Sequence, residues 1–422
     1  MRLLYRFLTL LLTPMALLKL QQGETRAGRW RERLGQVTSS RPGQIWVHAA
    51  SVGEVNAARD LIEEILSRHG PVLVSTMTVT GAERCRALFG ERVEHVYLPL
   101  DNPIAVRRWL ASVRPRVGLI IETEIWPELF NRCKALQVPL ILVSARLSPS
   151  AMKHYRRFVS LYSKALEGVE LACCQTAKDA ERLKVLGLGE ERLTVTGNLK
   201  FDIQTPADAM LAQARPSWAR RPIWTAGSTR PGEETQLIAA HQQLLEQIPD
   251  ALMILAPRHP ERGREISRLL DSSQVRWCRF EETPASDVNI ALVDQLGVLT
   301  ECYAMAQVAF VGGSLVNLGG HNLLEPAALG MPVLAGPFLD QQADSAKRLQ
   351  SAGGLIIATC ADEIAGHLAM LLSDPDEARR IGSAARDAVE SGRGALDRTL
   401  AALDPLLGPE SGQSDSLNAT AG

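Results

Sequence analysis

Acidic residues stand directly after two apolar runs in the first half of the sequence. Glu54 follows IWVHAA and opens the helix-like run VNAARDLIEEI, and Glu124 follows VGLII. A carboxylate at the end of a strand and the start of a helix is well placed to act as a general base. An interaction with the helix dipole is the commoner role for a lone Glu54, and Glu124 can also cap a helix that starts near Pro127.

A glycine-rich stretch follows another apolar run, between Val308 and Pro337. It contains Gly312, Gly313 and Ser314, a second glycine pair, and the string HNLLE from His321 to Glu325. Glycines let backbone amides approach a ligand closely, and the first turn of a helix carries unpaired N–H groups with partial positive charge. This arrangement suits a phosphate, with Glu325 accepting from a sugar diol. An ordinary strand-to-helix turn explains the loop alone equally well.

Basic residues accompany three further short motifs. Arg258 comes after MILAP, Arg230 lies in GSTR after IWTA, and Lys200 lies in TGNLKFD. We expect Arg258 on the same surface as the glycine-rich stretch, because the carboxyl ends of parallel strands lie at one edge of a sheet. Cations around a glycine-rich anion site make a nucleotide phosphate the economical ligand, although each residue alone is also typical of a surface.

A basic and aromatic segment lies between residues 146 and 164. Its members are Arg146, Lys153, His154, Tyr155, Arg156, Arg157, Phe158, Tyr162 and Lys164. Such a segment could seat a phosphorylated and partly apolar molecule. A solvated helix face is the commoner explanation of a run of charges.

Two series of alternating runs must position these motifs. From residue 44 onward, short β-branched runs alternate with amphipathic helical runs, and a second such series begins at IWTAGST. The alternation predicts an α/β chain with two Rossmann-like domains that face each other across a cleft. We expect a membrane-anchoring or interfacial helix at 1–22, a first domain at 23–205, a linker at 206–222, a second domain at 223–407 and a disordered tail at 408–422.

The N-terminus combines an apolar run with positive charge. Phe7 to Leu18 is apolar apart from two threonines and a proline, and the first 41 residues hold eight Lys or Arg against two Glu. The run is shorter than the roughly 20 apolar residues that span a bilayer. We favour an uncleaved anchor or interfacial helix on the cytoplasmic side over a cleaved signal peptide, because no small-residue cleavage site follows the run.

Charge and motif content argue against several classes of protein. The formal net charge of -1 over 422 residues gives no sign of a nucleic-acid partner. The seven cysteines show no zinc-site spacing, and their odd number indicates a reducing compartment. The sequence has no GxxxxGK[ST] phosphate loop, no HExxH and no GxSxG, and we expect chemistry without a metal or another cofactor.

Seven strings occur in the order typical of one enzyme family. They extend from Trp46 to about Gln341 and read HAASVGEV, ETEIWPEL, SARLS, TGNLKFD, GSTRPGEE, APRHPER and GGSLVNLGGHNLLEPAALGMPVLAGP. Together they resemble the 3-deoxy-D-manno-octulosonic acid (Kdo) transferases. The resemblance implies an inverting, metal-independent GT-B glycosyltransferase at the cytoplasmic face of a Gram-negative inner membrane. Such an enzyme transfers Kdo from CMP-Kdo to a lipid A precursor, lipid IVA, in lipopolysaccharide biosynthesis.

The resemblance also assigns roles to matching positions. Glu54 would be the catalytic base, with Glu124 and Lys200 supporting the transition state. The positions implied to hold CMP are Pro257, Arg258, Leu296, Gly297, Val298, Asn322, Leu323, Leu324 and Glu325. Further candidates for contacts with the donor phosphate or sugar are Ser228, Arg230, Gly312, Gly313, Ser314 and His321. Candidates for acceptor binding are Ser51, Gly53, Arg146, Lys153, Arg156 and Arg157.

Two positions depart from the family pattern, and two other functions compete with it. Val298 stands where the family has a glutamate and Leu323 where it has a proline, so Val298 offers a ligand no carboxylate. One alternative is an enzyme of the same architecture that uses a UDP-sugar, either a transferase with another membrane acceptor or an epimerase. The N-terminal anchor argues against a soluble epimerase. The other is a membrane-associated binding protein, which would not need Glu54, Lys200 and Arg258 to meet at one site.

Overall fold

The computed structural model describes residues 1–24, 29–38, 40–202 and 220–408. Internal contacts divide the chain into two compact units. The first unit comprises Met1–Asp202 and Arg393–Gly422, and the second comprises Ile203–Gly392. The second unit is therefore inserted into the sequence of the first.

The first unit is built on a seven-stranded parallel sheet. Its strands are β1 (Ile45–His48), β2 (Val72–Thr76), β3 (Glu94–Tyr97), β4 (Val117–Ile121), β5 (Leu140–Ala145), β6 (Val169–Cys174) and β7 (Leu193–Val195). Their order is β3-β2-β1-β4-β5-β6-β7. Every residue of β1, β2, β4 and β5 is buried, as expected where helices cover both faces of a parallel sheet. Trp46 packs on one face, edge-on to Trp109, and Ile45 and Val47 pack on the other.

Helices precede and connect these strands. They are α1 (Arg2–Glu24), α2 (Val52–Ala57), α3 (Arg59–His69), α4 (Val79–Phe89), α5 (Pro103–Val113), α6 (Pro127–Ala135), α7 (Pro149–Arg157), α8 (Val159–Leu166) and α9 (Ala177–Val185). Local sequence fixes where several begin: Asn102 caps α5 by accepting the N–H groups of Ile104 and Ala105, and Pro103 occupies the first helical position. The connecting helices α2, α4, α5 and α6 start soon after a strand ends, so their first turns lie at the carboxyl edge of the sheet.

The second unit repeats this architecture. Its parallel strands are β8 (Ile223–Thr229), β9 (Leu252–Pro257), β10 (Trp277–Arg279), β11 (Ile290–Leu292), β12 (Val308–Val311), β13 (Val333–Ala335) and β14 (Leu355–Ile357), in the order β10-β11-β9-β8-β12-β13-β14. Its helices are α10 (Glu234–Gln247), α11 (Gly263–Asp271), α12 (Leu299–Met305), α13 (Leu324–Ala328), α14 (Ala343–Ala352), α15 (Ala361–Ser373) and α16 (Pro375–Glu390). The two parallel sheets confirm the predicted pair of Rossmann-like folds.

The last helix of the described residues, α17 (Ala395–Leu407), belongs to the first unit. The carboxylate of Asp202 accepts the N–H groups of Gly394 and Leu396, each at 2.6 Å, and so fixes the start of α17. Near its end, the Nε2 atom of His69 lies 3.0 Å from the carboxylate of Asp404. Leucines of α17 join the buried cluster that contains β1. The predicted second domain, 223–407, is thus too long at its end, because α17 packs on residues far from it in sequence.

The other predicted segments are the linker, the tail and the N-terminal helix. Most of the predicted linker, residues 206–219, and nearly all of the predicted tail, residues 409–422, lie outside the described residues. The predicted N-terminal helix is present as α1. Within the described chain, none of the helices has the combined length and apolar character needed to cross a bilayer.

Candidate active site

In the first unit, the carboxylate of Glu54 lies at the carboxyl edge of the sheet. One turn joins β1 to α2 and brings Glu54 Oε2 to 2.5 Å from the N–H of Ala50, which donates to it. The hydroxyl of Ser51 lies 3.4 Å from Oε1. Burial raises the pKa of Glu54 to about 8, with further contributions from the charges of Glu122 and Glu124. The protonation state of Glu54 therefore changes close to neutral pH, as a general base requires.

Glu122 forms an ion pair with Lys200. The two residues follow different strands, β4 and β7, and Lys200 Nζ lies 2.6 Å from Glu122 Oε1. Glu122 has a φ of 61°, in the left-handed region that non-glycine residues rarely adopt. Both Glu122 and Glu124 lie close enough to Glu54 for their charges to raise its pKa.

Glu124 is held by two ring N–H groups. Its Oε2 atom lies 3.1 Å from His48 Nε2 and 3.1 Å from Trp126 Nε1. Burial opposes ionisation of Glu124, but the hydrogen bonds from these two rings outweigh it and lower the pKa of the carboxylate. Glu124 therefore stays charged, which is how it raises the pKa of Glu54.

His48 is oriented from its other ring nitrogen. Nδ1 lies 2.8 Å from the hydroxyl of Ser75, and that hydroxyl accepts the indole N–H of Trp46 at 2.7 Å. Nδ1 also lies 3.2 Å from the backbone carbonyl oxygen of Ser75, so two oxygens of Ser75 position this side of the ring. His48 is fully buried at the last position of β1. Sequence reasoning missed it, although its position at a strand end, next to the Glu54 turn, was the available signal.

The candidate acceptor residues lie near the same edge of this unit. The backbone N–H of Arg146 donates to the hydroxyl of Thr123, between the two carboxylates, at 2.9 Å. Lys153, Arg156 and Arg157 are exposed on α7, and Gly53 is exposed in the first turn of α2. The acceptor role of these residues stays a prediction.

In the second unit, the glycine-rich loop after β12 surrounds a carboxylate of the protein itself. Glu233 is fully buried, and it accepts the N–H groups of Gly313 at 2.7 Å, Ser314 at 2.9 Å and Leu315 at 2.8 Å. It also accepts the N–H of Arg230 at 2.8 Å. The amides of Gly313 and Ser314, which the sequence suggested for a phosphate, are thus already engaged. Sequence reasoning missed Glu233, which gives no local sign that its partners lie 80 residues away.

Gly312 brings two strand ends close together. A Cβ atom at this position would lie 2.5 Å from the carbonyl oxygen of Ser228, so only glycine fits without a shift. Ser228 itself has a φ of 57° at the end of β8. Unusual backbone angles at Glu122 and Ser228 mark the corresponding edge of each sheet.

Basic side chains gather beside this loop. Arg230 Nη1 lies 2.6 Å from His259 Nε2. Burial, and then the nearby charges of Arg258, Arg230 and His259, lower the pKa of His321 to about 4. Among the residues that the structure describes, neither Arg230 nor Arg258 forms an ion pair with a carboxylate. Two arginines with unneutralised charge at a strand-end edge suit an anionic ligand.

The HNLLE string orients a second carboxylate in this unit. Asn322 donates its side-chain N–H to Glu325 at 3.0 Å and accepts the N–H of Leu324 at 3.1 Å, at the start of α13. Leu323, which replaces the family's proline, is fully buried. Pro257 is buried at the end of β9, whereas Leu296 and Gly297 are exposed and Val298, which precedes α12, is half-buried. The described residues contain no group of three His, Cys, Asp or Glu side chains that could hold a metal ion.

Comparison with known proteins decides the family. The family model for 3-deoxy-D-manno-octulosonic-acid transferase (kdotransferase) matches residues 28–203. The 3-deoxy-D-manno-octulosonic acid transferase of Haemophilus influenzae is 34% identical over 421 residues, which is 96% of this chain and 99% of that protein. The chain belongs to the Kdo transferase family. The enzyme of the same name from Bordetella pertussis is 35% identical over 418 residues, 94% of this chain and 97% of that protein.

Solved structures with low sequence identity share the fold of this Kdo transferase family member. The S. aureus MnaA–UDP co-structure has a TM-score of 0.55 at 15% identity and covers 85% of this chain and 95% of its own. The glycotransferase of kitacinnamycin has a TM-score of 0.53 at 17% identity and covers 86% and 99%. The fold alone therefore does not separate a Kdo transferase from enzymes with other substrates. The family match, which includes Glu54, Glu124 and Lys200, makes that separation and confirms that the chain is a transferase.

Proposed function

We propose that the protein transfers Kdo from CMP-Kdo to a lipid A precursor, lipid IVA, with inversion and without a metal. A hydroxyl of the acceptor attacks the anomeric carbon of Kdo, the bond from that carbon to the phosphate oxygen breaks, and the hydroxyl proton passes to Glu54. Free CMP and the new glycoside are the products, and no covalent intermediate is needed. The observation that carries the proposal is the half-buried carboxylate of Glu54, with a pKa of about 8, in a chain of the Kdo transferase family.

The charged residues around Glu54 have different roles in the proposed reaction. A base whose pKa lies near the working pH is ionised in useful amount and still binds a proton firmly. Glu122 and Glu124 raise that pKa, and Lys200 partly offsets them. Lys200 and Glu124 would support the charges that develop as the acceptor oxygen bonds to the anomeric carbon.

The second unit supplies the groups that we assign to the donor. CMP-Kdo carries a phosphate and a sugar carboxylate, and both are anions. Arg230, Arg258 and His321 would bind them, because two of these side chains are cations without a carboxylate partner among the described residues. Glu325, already oriented by Asn322, would accept from a ribose hydroxyl.

The outer face of α1 supports a location at the cytoplasmic surface of the inner membrane. Leu3, Phe7, Leu11 and Met15 are each more than half exposed on this helix. An apolar helix face of this kind favours the interface between lipid headgroups and acyl chains. The acceptor is itself a lipid, so a helix that lies on the membrane would keep the enzyme beside its substrate.

The basic face of α7 is our candidate for the phosphates of the acceptor. Lys153, Arg156 and Arg157 are exposed there, and the helix contains no acidic residue. His154 stacks edge-on to Tyr155, Phe158 and Tyr162, which adds apolar surface beside the charges. A phosphorylated glycolipid combines the two chemistries that this surface offers.

Acceptor-dependent release of CMP tests the function against the UDP-sugar alternative. Purified full-length protein would receive CMP-Kdo generated in situ and a tetraacylated lipid A precursor. We expect CMP release that requires the acceptor and persists in EDTA, with a matching increase in acceptor mass. Release of UDP from UDP-N-acetylglucosamine, or CMP release that does not depend on acceptor, would contradict the proposal.

A further inference from the structure

The inner face of α1 is bound to the rest of the first unit by polar side chains. The hydroxyl of Tyr5 donates to Asp101 at 2.7 Å. The guanidinium of Arg6 donates to both carboxylate oxygens of Glu128, with Nε and Nη2 each at 2.7 Å. These contacts join residues about a hundred positions apart, so they result from tertiary packing. The helix thus presents apolar side chains outward and charged side chains to the protein.

Both carboxylates that α1 binds are buried at the start of α6. Asp101 and Glu128 are 7% and 3% exposed. Asp101 accepts the backbone N–H groups of Glu128 and Leu129 at 2.9 and 2.8 Å, and so holds the first turn of α6. Within the described residues, the cations paired with Glu128 are Arg6 and, at 3.8 Å, Arg2. Without α1, two neighbouring buried carboxylates would lose their cation and their hydroxyl donor, which is an unfavourable state.

The first turn of α6 is continuous with the loop that carries Glu124. Trp126, immediately before α6, donates its indole N–H to Glu124 at 3.1 Å. A displacement of this turn therefore moves one of the two donors that keep Glu124 charged. A third contact, from Asn102 to the hydroxyl of Thr13 at 3.1 Å, ties α1 to the start of α5 at the same edge.

We propose that Arg6 and Tyr5 are positioning residues for the transfer reaction, because they hold the α6 turn and, through Trp126, the carboxylate of Glu124. The helix α1 then has two separable roles: its outer face contacts lipid, and its inner face is part of the framework of the acceptor-side site. This inference rests on the proposed function. A helix that only tethers the protein to the membrane gives a different expectation. Its inner contacts would not affect the reaction once the acceptor is supplied without a bilayer.

The test compares substitutions on the two faces of α1 in the full-length chain. In an assay with lipid acceptor dispersed in nonionic detergent, below the unfolding temperature, Arg6→Met should lower kcat about 10- to 100-fold, because small misplacements of a site are costly. The KM for CMP-Kdo should change less than about twofold, since we assign the donor to the second unit. Leu11→Gln should weaken sedimentation with anionic vesicles and leave kcat in detergent unchanged.

A rescue distinguishes positioning from a general loss of packing. Arg6→Met leaves the charge of Glu128 buried with only Arg2 nearby, at 3.8 Å, and Glu128→Gln removes that buried charge. Arg6→Met/Glu128→Gln should therefore recover most of the lost kcat. If Arg6→Met does not fold, Arg6→Lys, which keeps the charge but loses the two-pronged contact, should still lower kcat. An unchanged kcat in the folded single variants would overturn the inference.

Hydrogen exchange gives a readout that does not depend on activity. The amides of Glu128 and Leu129 donate to Asp101, so Tyr5→Phe and Arg6→Met should each speed exchange in a peptide covering residues 122–130. Equal exchange rates in wild type and variants would contradict the inference even if the wild type transferred no Kdo. An inactive wild type with the expected exchange would reject only the proposed function.

Discussion

The carboxyl edges of the two sheets share one architecture and differ in their electrostatics. In the first unit three carboxylates share the edge with one lysine, and Glu54 is the one whose pKa burial and like charge raise. In the second unit Arg230 and Arg258 have no carboxylate partner among the described residues, while one buried carboxylate, Glu233, occupies the loop amides. The acidic edge thus suits the acceptance of a proton, and the basic edge suits the binding of an anion.

The difference lies in which charge is left uncompensated. At the acidic edge, Lys200 pairs with Glu122, and two ring N–H groups hold Glu124. Neither the lysine nor the ring N–H groups pair with Glu54 in this way. At the basic edge, Glu233 satisfies the backbone donors and leaves the arginine side chains for a ligand. A glycine-rich loop is therefore not by itself an open anion site, because the protein can fill it from within.

The largest effect should come from the acidic edge. Glu54→Gln removes the proton acceptor, and we expect kcat to fall about 10²- to 10⁴-fold with little change in the donor KM. Steady-state kinetics of CMP release would measure it, with Glu83→Gln, exposed on α4, as the unaffected control. A kcat within threefold of wild type would remove Glu54 from the role of base.

The same substitution should change how stability depends on pH. The folded-state pKa of Glu54, about 8, lies above the value of about 4.3 for an unfolded glutamate, so the folded chain loses stability as pH rises between the two values. Glu54→Gln should therefore gain thermal stability relative to wild type on going from pH 5 to pH 9. If the unfolding midpoints of wild type and Glu54→Gln differ by the same amount at every pH in that range, the raised pKa is contradicted.

A smaller effect, of a different kind, is expected at the basic edge. Glu233→Gln replaces one acceptor oxygen by an amide N–H that faces backbone donors, so the loop should shift. We expect the donor KM to rise about tenfold and the unfolding midpoint to fall by a few degrees, with kcat less affected than in Glu54→Gln. Glu246→Gln, exposed on α10, is the matched control. A donor KM equal to wild type would show that the loop does not shape the donor site.

The smallest effect is expected from substitution of the buried His48, which should shift the pH profile of kcat/KM. The kcat/KM of the wild type should rise with pH up to about pH 8, as Glu54 loses its proton. His48→Leu deprives Glu124 of a donor, so Glu124 ionises less readily and repels a charge on Glu54 less. The acid limb should then move to lower pH, with Trp126→Phe acting in the same direction. An unmoved limb in both variants would break the proposed link between the two carboxylates.

The sequence predicts the parts of this molecule whose signals are local. Buried β-branched runs such as VGLII predict the strands, because a parallel sheet covered on both faces leaves no polar alternation. The ordered motifs predict the family, which relatives confirm. Glu54 and Glu124 are placed correctly at strand ends because each motif follows its strand directly.

The features that escaped prediction depend on distant pairs or on backbone angles. The positive φ of Glu122 takes its backbone out of the extended region, and no residue type announces it. The chain from Trp46 through Ser75 to His48 exists only because β1 and β2 are neighbours. The capture of loop amides by Glu233 likewise requires the pairing of β8 with β12.

The return of α17 to the first unit also has a consequence during synthesis. A ribosome releases the chain from its N-terminus, so the whole second unit emerges before Leu400, Leu403 and Leu407 can cover the cluster around β1. Until then Asp202 lacks the backbone amides that it binds and part of an apolar core is open to water. We therefore expect a nascent chain that ends at residue 392 to be held by chaperones, whereas one that has released residue 408 is not. A helix near the end of the described chain, α17, thus completes the unit with which synthesis begins.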